Sequence, residues 1–361
     1  MRADSPAAAA ARLIEGAIAR RLFPAAVAEV GSSREIIWTH SSGTLTFEAD
    51  APSTTLDTIF DLASLTKPLA TTAVVLRLVS SDRLAFDQRI TSIVPEWTGA
   101  DRVPVTVRDL LEHTGGLSAR LLDQPPDNAR SFEHEICHIP LEYAPRTKSI
   151  YTDLGFILLA FMCERVTGSR FTDLVGGFLT EASMAGGGLA QGLYARVGTS
   201  DLPRTAPTKP MIEDRRRGRR LVGDVHDNYA AALGGLAGHA GLFGTAAGVG
   251  QHARLLLRAL QGDRSLPAPF TPDLAATAIS RSKVPGSSRA LGWDTMKPTS
   301  SCGVHLSPSA FGHVGFTGTS LWVDPARDRY YVLLSNRVCD GGTSDEMQAL
   351  RRAFHDLVAA V

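Results

Sequence analysis

The sequence has no excess of charge of either sign and no long apolar run. Its 361 residues include 37 Lys and Arg against 37 Asp and Glu, so the formal net charge is zero. Proteins that bind nucleic acid usually carry a basic excess or stripe, so no nucleic-acid partner is expected. No stretch of 18 apolar residues occurs, and we therefore predict no membrane span.

Cysteine is also scarce, and the start of the chain lacks the pattern of a signal peptide. The four cysteines do not form the close pairs that metal and redox sites use: Cys137, Cys163, Cys302 and Cys339. We expect reduced structural thiols and no metal or cofactor. Arg12 and Glu15 interrupt the apolar core that a signal peptide needs, which predicts a cytoplasmic protein. The sequence does not indicate an oligomeric state.

Apolar periodicity predicts an α/β protein whose sheet is assembled from both ends of the chain. Helical spacing marks residues 12–22 and the segment after Thr343, where Glu346 completes a capping-box spacing. Short apolar runs typical of strands lie near both ends, at 25–30, 36–39, 319–323 and 330–335. Helical patterns dominate between them. We predict a discontinuous α/β domain (1–100 and 245–361) with an inserted helical domain (101–244).

Ser64-Leu65-Thr66-Lys67 is the first segment that indicates chemistry. Pro68 is tolerated only in the first turn of a helix, so a helix is predicted to begin near Ser64. Residues three apart share a helical face, which places the Lys67 amine beside the Ser64 hydroxyl. Burial lowers the pKa of an ammonium, as a lysine base requires. Alternatively, Ser64 is only a helix N-cap.

Tyr151-Thr152-Asp153 precedes a helical apolar stretch at 156–166. A tyrosine there can reach the Ser–Lys pair and carry a proton to a leaving group, or it can simply be a packed aromatic residue. Farther along, His313-Val314-Gly315 leads into an apolar strand. Glycine in a strand allows a substrate to approach closely; the alternative is a glycine-rich bulge.

In their order and separation, these three motifs resemble the family of class C β-lactamases, D-alanyl peptidases and related esterases. The resemblance implies a β-lactamase/transpeptidase-like fold, with a mainly antiparallel sheet flanked by helices and an active site beside the helical domain. It implies that Ser64 is the nucleophile of an acyl-enzyme, Lys67 its base and Tyr151 a proton carrier. The N–H groups of Ser64 and Phe316 would form the oxyanion hole. Substrate-binding roles fall to Asp153, His313, Gly315 and Phe316.

Two departures from the family pattern bear on the substrate, which is expected to be an ester, amide or peptide. His313-Val314-Gly315 stands where Lys-Thr-Gly is usual, and a charge-assisted hydrogen bond is worth about 1.5–3 kcal/mol. We therefore expect poor β-lactam turnover and better turnover of esters or uncharged amides. Phe316-Thr317-Gly318 is an alternative register. Asp153 stands where Asn is common, which disfavours anionic substrates and argues against Lys67 as a free base.

Other functions stay open at this point. A true β-lactamase or a D-alanyl-D-alanine carboxypeptidase is the alternative within the family. His134-Glu135-Ile136-Cys137-His138 fits the H-E-x-x-H signature of zinc hydrolases, although Pro140 ends its helix soon afterwards. A non-catalytic ligand-binding module is the third alternative, and the retention of both Ser64 and Lys67 argues against it.

Overall fold

The computed structural model describes residues 5–119, 125–187, 192–212 and 214–361. Nine strands occur in these ranges: β1 (Ala25–Gly31), β2 (Ile36–Gly43), β3 (Phe60–Asp61), β4 (Leu193–Tyr194), β5 (Phe243–Gly244), β6 (Asp294–Thr295), β7 (Phe311–Val314), β8 (Ser320–Asp324) and β9 (Arg329–Ser335). Six of them form the main sheet in the order β2-β1-β9-β8-β7-β6. Every neighbouring pair in it is antiparallel, and both chain ends contribute strands as predicted.

Ten α-helices occur in the same ranges: α1 (Pro6–Ala19), α2 (Ala73–Ser80), α3 (Val107–Leu111), α4 (Ala129–His138), α5 (Leu154–Thr167), α6 (Phe171–Ala185), α7 (Asn228–Ala232), α8 (Ala246–Leu260), α9 (Pro272–Ile279) and α10 (Ser344–Val358). A second, small sheet has the order β3-β5-β4. The segment 101–244 contains α3 to α7 together with β4 and β5. Its boundaries as a domain stay a prediction.

Helices cover both faces of the main sheet. On β9, Tyr331 and Leu333 pack in one apolar cluster with α1 and α10. The alternate residues Tyr330, Val332 and Leu334 pack in the other cluster, which includes α8. This alternation follows from the two-residue period of a strand. Because both faces are covered, all seven residues of β1 are buried.

The two terminal helices allow the predicted helix bounds to be compared with the observed ones. α1 begins at Pro6, six residues before the predicted start, and Ser5 accepts a hydrogen bond from the Ala8 N–H at 3.2 Å. The alanine run belongs to the helix because alanine has the highest helix propensity. At the other end, Thr343 and Glu346 form the predicted capping box.

Candidate active site

Ser64 lies in a 3₁₀ turn, Ala63–Leu65, which is followed by a π-helical segment, Lys67–Thr72, and then by α2. A helix does begin near Ser64, with Pro68 at its start, but its first turns are not α-helical. Ala63 has φ 47°, a left-handed conformation that few non-glycine residues adopt. Backbone of this kind is common at functional sites, where the surrounding structure maintains the strain.

The Asp61 side chain fixes the Ser64 turn by hydrogen bonds. Its two carboxylate oxygens accept hydrogen bonds from the N–H of Ala63 at 2.8 Å and of His226 at 2.6 Å. Burial raises the pKa of Asp61 to about 6, although both hydrogen bonds act to lower it. The Ser64 turn is thereby fixed to the loop that contains His226.

Three side chains meet at the Ser64 hydroxyl. Tyr151 Oη donates to Ser64 Oγ at 2.8 Å, and Lys67 Nζ lies 3.2 Å from the same oxygen. Lys67 Nζ also donates to Tyr151 Oη at 2.5 Å. Lys67 is fully buried. The structure therefore brings together the three residues that the sequence grouped as catalytic.

The Lys67 amine is charged because of Asp153. Asp153 Oδ1 lies 2.8 Å from Lys67 Nζ, which also donates to the His239 carbonyl at 3.3 Å. Burial lowers the pKa of Lys67, but Asp153 and Tyr151 outweigh that effect, so the pKa lies above its ordinary value of 10.5. This direction agrees with the expectation that Asp153 argues against Lys67 as a free base, and the base role of Lys67 stays a prediction.

Asp153 was also grouped with the substrate-binding residues, and the structure does not support that assignment. Its side chain is 11% exposed and turned towards Lys67, and it does not line the cleft beside Ser64. The carboxylate forms a buried ion pair with Lys67. The positive charge of Lys67 therefore offsets the negative charge that a substrate in the cleft would otherwise meet.

The chain approaches the Ser64 turn at Gly315, directly after β7. A Cβ on Gly315 would lie 2.5 Å from the Leu62 carbonyl oxygen and 2.1 Å from Thr319 Oγ1, so only glycine permits this contact. β6 pairs with Phe311 and Gly312 alone, which leaves the later part of β7 open to the cleft. In the described part of the chain, the N–H groups of Ser64 and Phe316 have no hydrogen-bond partner.

The two registers predicted for the third motif lie differently with respect to the cleft. His313 and Val314 line the cleft, whereas Thr317 is buried and its hydroxyl donates to the Asp61 carbonyl at 2.7 Å. His313 Nδ1 lies 2.8 Å from the Val314 carbonyl oxygen. Because that oxygen can only accept, Nδ1 carries the proton. Burial, reinforced by Arg289 and Lys67, holds the pKa of His313 well below 6.5, so the ring is neutral and its Nε2 is an acceptor.

The cleft has a volume of about 490 Å³ and is lined by Ser64, Tyr151, residues 313–316 and three arginines. Arg351 donates to the carbonyls of Gly315 and Thr319 at 2.6 and 2.9 Å, and burial lowers its pKa to about 9. Arg337 donates to the Phe316 carbonyl at 2.6 Å. The guanidinium of Arg289 lies 5.0 Å from the centre of the Tyr151 ring.

Arg289 differs from the other two arginines because its guanidinium makes no hydrogen bond within the described residues, whereas those of Arg337 and Arg351 donate to backbone carbonyls. No carboxylate among the described residues forms an ion pair with Arg289. Its field contributes to the lowered pKa values of both His113 and His313. None of the three arginines was predicted as a site residue. The helical pattern could have indicated that Arg351 is buried, because it lies between Leu350 and Phe354 on the buried face of α10.

The zinc-hydrolase alternative is separate from this cleft. His134 and His138 lie on the exposed side of α4, which ends at His138, and neither lines the cleft. Among the residues that the structure describes, no helix is both long and apolar enough to cross a membrane.

The antiparallel sheet between helical layers, with a Ser–Lys–Tyr cluster at its edge, defines a serine hydrolase related to class C β-lactamases. The chain belongs to the Beta-lactamase family, whose model matches residues 10–354. Among curated proteins, it is 30% identical over 328 residues to a protein of Escherichia coli (strain K12) named "Putative D-alanyl-D-alanine carboxypeptidase". That match covers 82% of this chain and 72% of the relative.

Solved structures confirm the predicted fold. A β-lactamase/D-alanine carboxypeptidase from Pseudomonas syringae superposes with a TM-score of 0.75 at 16% identity and covers 98% of both chains. EstCE1, described as a hydrolase with promiscuous acyltransferase activity, superposes with a TM-score of 0.73 at 18% identity. It covers 97% of this chain and 98% of its own. At these identities the likeness establishes the fold alone.

Proposed function

We propose that this protein hydrolyses an ester or amide substrate through a covalent acyl-enzyme at Ser64. The observation that carries the proposal is the set of mutual hydrogen bonds joining Ser64 Oγ, Tyr151 Oη and Lys67 Nζ at 2.5–3.2 Å. A binding module has no use for a buried ammonium and a phenol that both contact one serine hydroxyl. An activated nucleophile requires such neighbours.

Proton transfer follows from the charge on Lys67. An ammonium held by Asp153 cannot accept a proton, so Tyr151 takes the base role that the sequence assigned to Lys67. The ammonium lies 2.5 Å from Tyr151 Oη and orients that hydroxyl. As Ser64 Oγ bonds to the substrate carbonyl carbon, Tyr151 Oη receives the Ser64 proton and gives its own hydroxyl proton to the leaving oxygen or nitrogen, whose bond to the carbonyl carbon breaks.

The second half of the reaction uses the same groups. A water molecule attacks the acyl carbonyl and gives a proton to Tyr151 Oη. Tyr151 passes its own hydroxyl proton to Ser64 Oγ as the ester bond to Ser64 breaks. In both halves, the free N–H groups of Ser64 and Phe316 bind the negative oxygen of the tetrahedral intermediate. Loss of one such donor in other hydrolases costs about 10²- to 10³-fold in kcat.

The third motif favours neutral acyl substrates over β-lactams. His313 offers an acceptor where the family usually has a lysine cation, and Val314 offers no hydrogen bond where threonine is usual. Neither can hold the carboxylate of a penicillin. We therefore expect slow β-lactam turnover and faster hydrolysis of simple esters or uncharged amides.

A second candidate, D-alanyl-D-alanine carboxypeptidase activity, is favoured by Arg289. An uncompensated guanidinium at the cleft can pair with the terminal carboxylate of a peptide substrate. The name of the Escherichia coli relative points to the same activity.

The acyl-enzyme is tested by incubation with a fluorophosphonate probe, followed by intact mass measurement and peptide mapping. One adduct at Ser64 is expected, absent in Ser64→Ala and much slower in Lys67→Ala and Tyr151→Phe. An adduct elsewhere, or none on folded protein, would refute the mechanism.

The substrate is tested with a matched pair of acyl esters, one neutral and one ending in a carboxylate, together with a penicillin and a D-alanyl-D-alanine peptide. Faster turnover of the neutral ester supports the first candidate. If the carboxylate compounds are preferred and Arg289→Ala removes that preference, the carboxypeptidase candidate is correct. Penicillin turnover at rates typical of dedicated β-lactamases would exclude the proposed preference for neutral substrates.

A further inference from the structure

Two histidines and one glutamate meet on the surface of the helical region, apart from the Ser64 cleft. His134 Nδ1 lies 2.6 Å from Glu96 Oε1, and the ring centres of His134 and His138 are 4.2 Å apart. One ligand atom from each of the three residues can be chosen so that all lie within 4.8 Å of one another.

The local fold presents these side chains together. Residues four apart share a face of a helix, so His134 and His138 both project from the exposed side of α4. Phe132 and Ile136 are fully buried on its other side. The neighbour of Glu96, Trp97, is also fully buried, and its indole N–H donates to the Arg102 carbonyl at 3.0 Å. Glu96 is therefore held beside α4 by a fixed segment.

The hydrogen bonds of the cluster also set the imidazoles in the form that metals bind. His138 Nδ1 lies 2.7 Å from the His134 carbonyl oxygen, which can only accept, so Nδ1 carries the proton and Nε2 keeps a lone pair. His134 Nδ1 and Glu96 Oε1 lie 2.6 Å apart, so both residues can turn towards one ion. Metal-binding histidines in proteins use the arrangement seen at His138, in which one ring nitrogen contacts a carbonyl or carboxylate and the other binds the ion.

We propose that Glu96, His134 and His138 bind one divalent transition-metal ion, with zinc the best match. Two imidazoles and a carboxylate suit zinc, which bonds to them at 2.0–2.2 Å. Such bonds require ligand atoms about 3.3 Å apart, and these exposed side chains reach that spacing by small rotations. Water completes the tetrahedron. The ion joins α4 to the segment that contains Glu96 and has no part in the chemistry at Ser64.

The test is calorimetric titration of ZnCl₂ into tag-free protein from which metal has been removed by chelation. One ion per chain is expected, together with a higher Tm in the presence of zinc. His134→Ala and His138→Ala should abolish both effects. Glu96→Gln should weaken binding by at least about 10-fold, because it removes a direct ligand and even a carboxylate that only orients a ligating histidine is worth about 10- to 100-fold.

His305→Ala is the matched control, because His305 is an exposed histidine beside a carboxylate, Asp356, at 3.5 Å and has no second histidine in the cluster. It should bind zinc as the parent does. No binding by the parent protein at millimolar zinc would overturn the proposal, and so would stoichiometric binding that survives His134→Ala and His138→Ala.

A second cluster could also bind zinc: Asp153, Asp227 and His239. Fluorophosphonate labelling of Ser64 distinguishes zinc bound there from zinc bound on α4. That cluster surrounds Lys67, so an ion there would prevent fluorophosphonate labelling of Ser64. Zinc on α4 leaves labelling unchanged. The metal proposal does not depend on the proposed function, since labelling and zinc titration are independent measurements.

Discussion

At the scale of single residues, Asp153 determines which group can act as the base. Its carboxylate raises the pKa of Lys67, and in the proposed mechanism the proton from Ser64 then goes to Tyr151. Asparagine at this position would keep the shape and remove the charge. The pKa of Lys67 would fall, because burial, which lowers it, would no longer be offset by a facing carboxylate.

Asp153→Asn is therefore predicted to move the alkaline limb of the pH profile of kcat/KM to lower pH. The reason is that the proposed active form contains the Lys67 ammonium, which would be lost at a lower pH in the variant. The measurement is ester hydrolysis between pH 5 and 11, with circular dichroism to confirm folding at each pH.

If neutral Lys67 were the base instead, Asp153→Asn would shift the acid limb to lower pH and raise activity at pH 7. That outcome would restore the base role to Lys67. Asp173→Asn is the control, since Asp173 forms an exposed pair with Arg170 at 2.9 Å and should leave both limbs unchanged.

At the scale of secondary-structure elements, the site depends on the contact between the β7–β8 turn (residues 315–319) and the Ser64 turn. Thr317 and Thr319 donate to the carbonyls of Asp61 and Leu62 at 2.7 and 3.1 Å, and Gly315 allows the two backbones to approach. The proposed oxyanion hole has one N–H from each side of this contact. A change in their spacing should therefore affect catalysis directly.

Gly315→Ala is predicted to lower kcat for ester hydrolysis by about 10²- to 10³-fold, comparable to the loss of one oxyanion donor. The added Cβ must displace the loop, because Leu62 O and Thr319 Oγ1 occupy its position. The measurement is kcat for ester hydrolysis together with the Tm of each variant, so that a loss of activity can be told from a loss of folding. Gly176→Ala in α6, where a Cβ meets nothing within 4 Å, should keep full activity; full activity in Gly315→Ala would disprove the close contact.

Asp61 makes the stability of the same turn depend on pH. Its pKa is about 6 in the folded protein against an ordinary 3.8, so the folded state binds its proton more tightly than the unfolded state. This contribution to stability is full below pH 3.8 and falls as pH rises through 6. The slope within that window approaches about 1.4 kcal/mol per pH unit.

Asp61→Asn should therefore make the slope of the free energy of unfolding against pH more positive between pH 4 and 6 than in the parent, by up to about 1.4 kcal/mol per pH unit. Buried histidines such as His226, whose pKa is lowered to about 4 by burial, contribute the opposite slope in both proteins and cancel in the difference. The measurement is urea unfolding across this range. Parallel curves for the two proteins would show that Asp61 does not titrate there.

The sequence predicted those parts of the site that depend on local spacing. Lys67 reaches Ser64 because the two are three positions apart in sequence, and the capping box at Thr343 and Glu346 formed as expected. The direction of Asp153 could not be predicted, because it depends on how α5 packs against the buried Lys67. The role of Arg289 could not be predicted from local sequence, because it lies in a short polar loop and only the tertiary fold brings it to Tyr151.

At the scale of the whole molecule, Asn336 joins segments that are far apart in sequence. It follows β9 and is buried. Its Oδ1 accepts from the Ala25 N–H at 3.1 Å, and its Nδ2 donates to the carbonyls of Leu45 and Pro207 at 3.0 Å each. One side chain thus connects the start of β1, the segment after β2 and the region that precedes α7.

Asn336→Asp is predicted to destabilise the whole fold and to leave the Ser64 cluster intact in the molecules that remain folded. Aspartate keeps the size and the acceptor but cannot donate, so two buried carbonyls lose their partners at about 1–3 kcal/mol each. The measurement is the Tm together with fluorophosphonate labelling below it. Asn128→Asp, at the exposed N-cap of α4, is the control, since aspartate caps helices as well as asparagine does. Equal Tm values for the two variants would mean that these segments are held together by apolar packing alone.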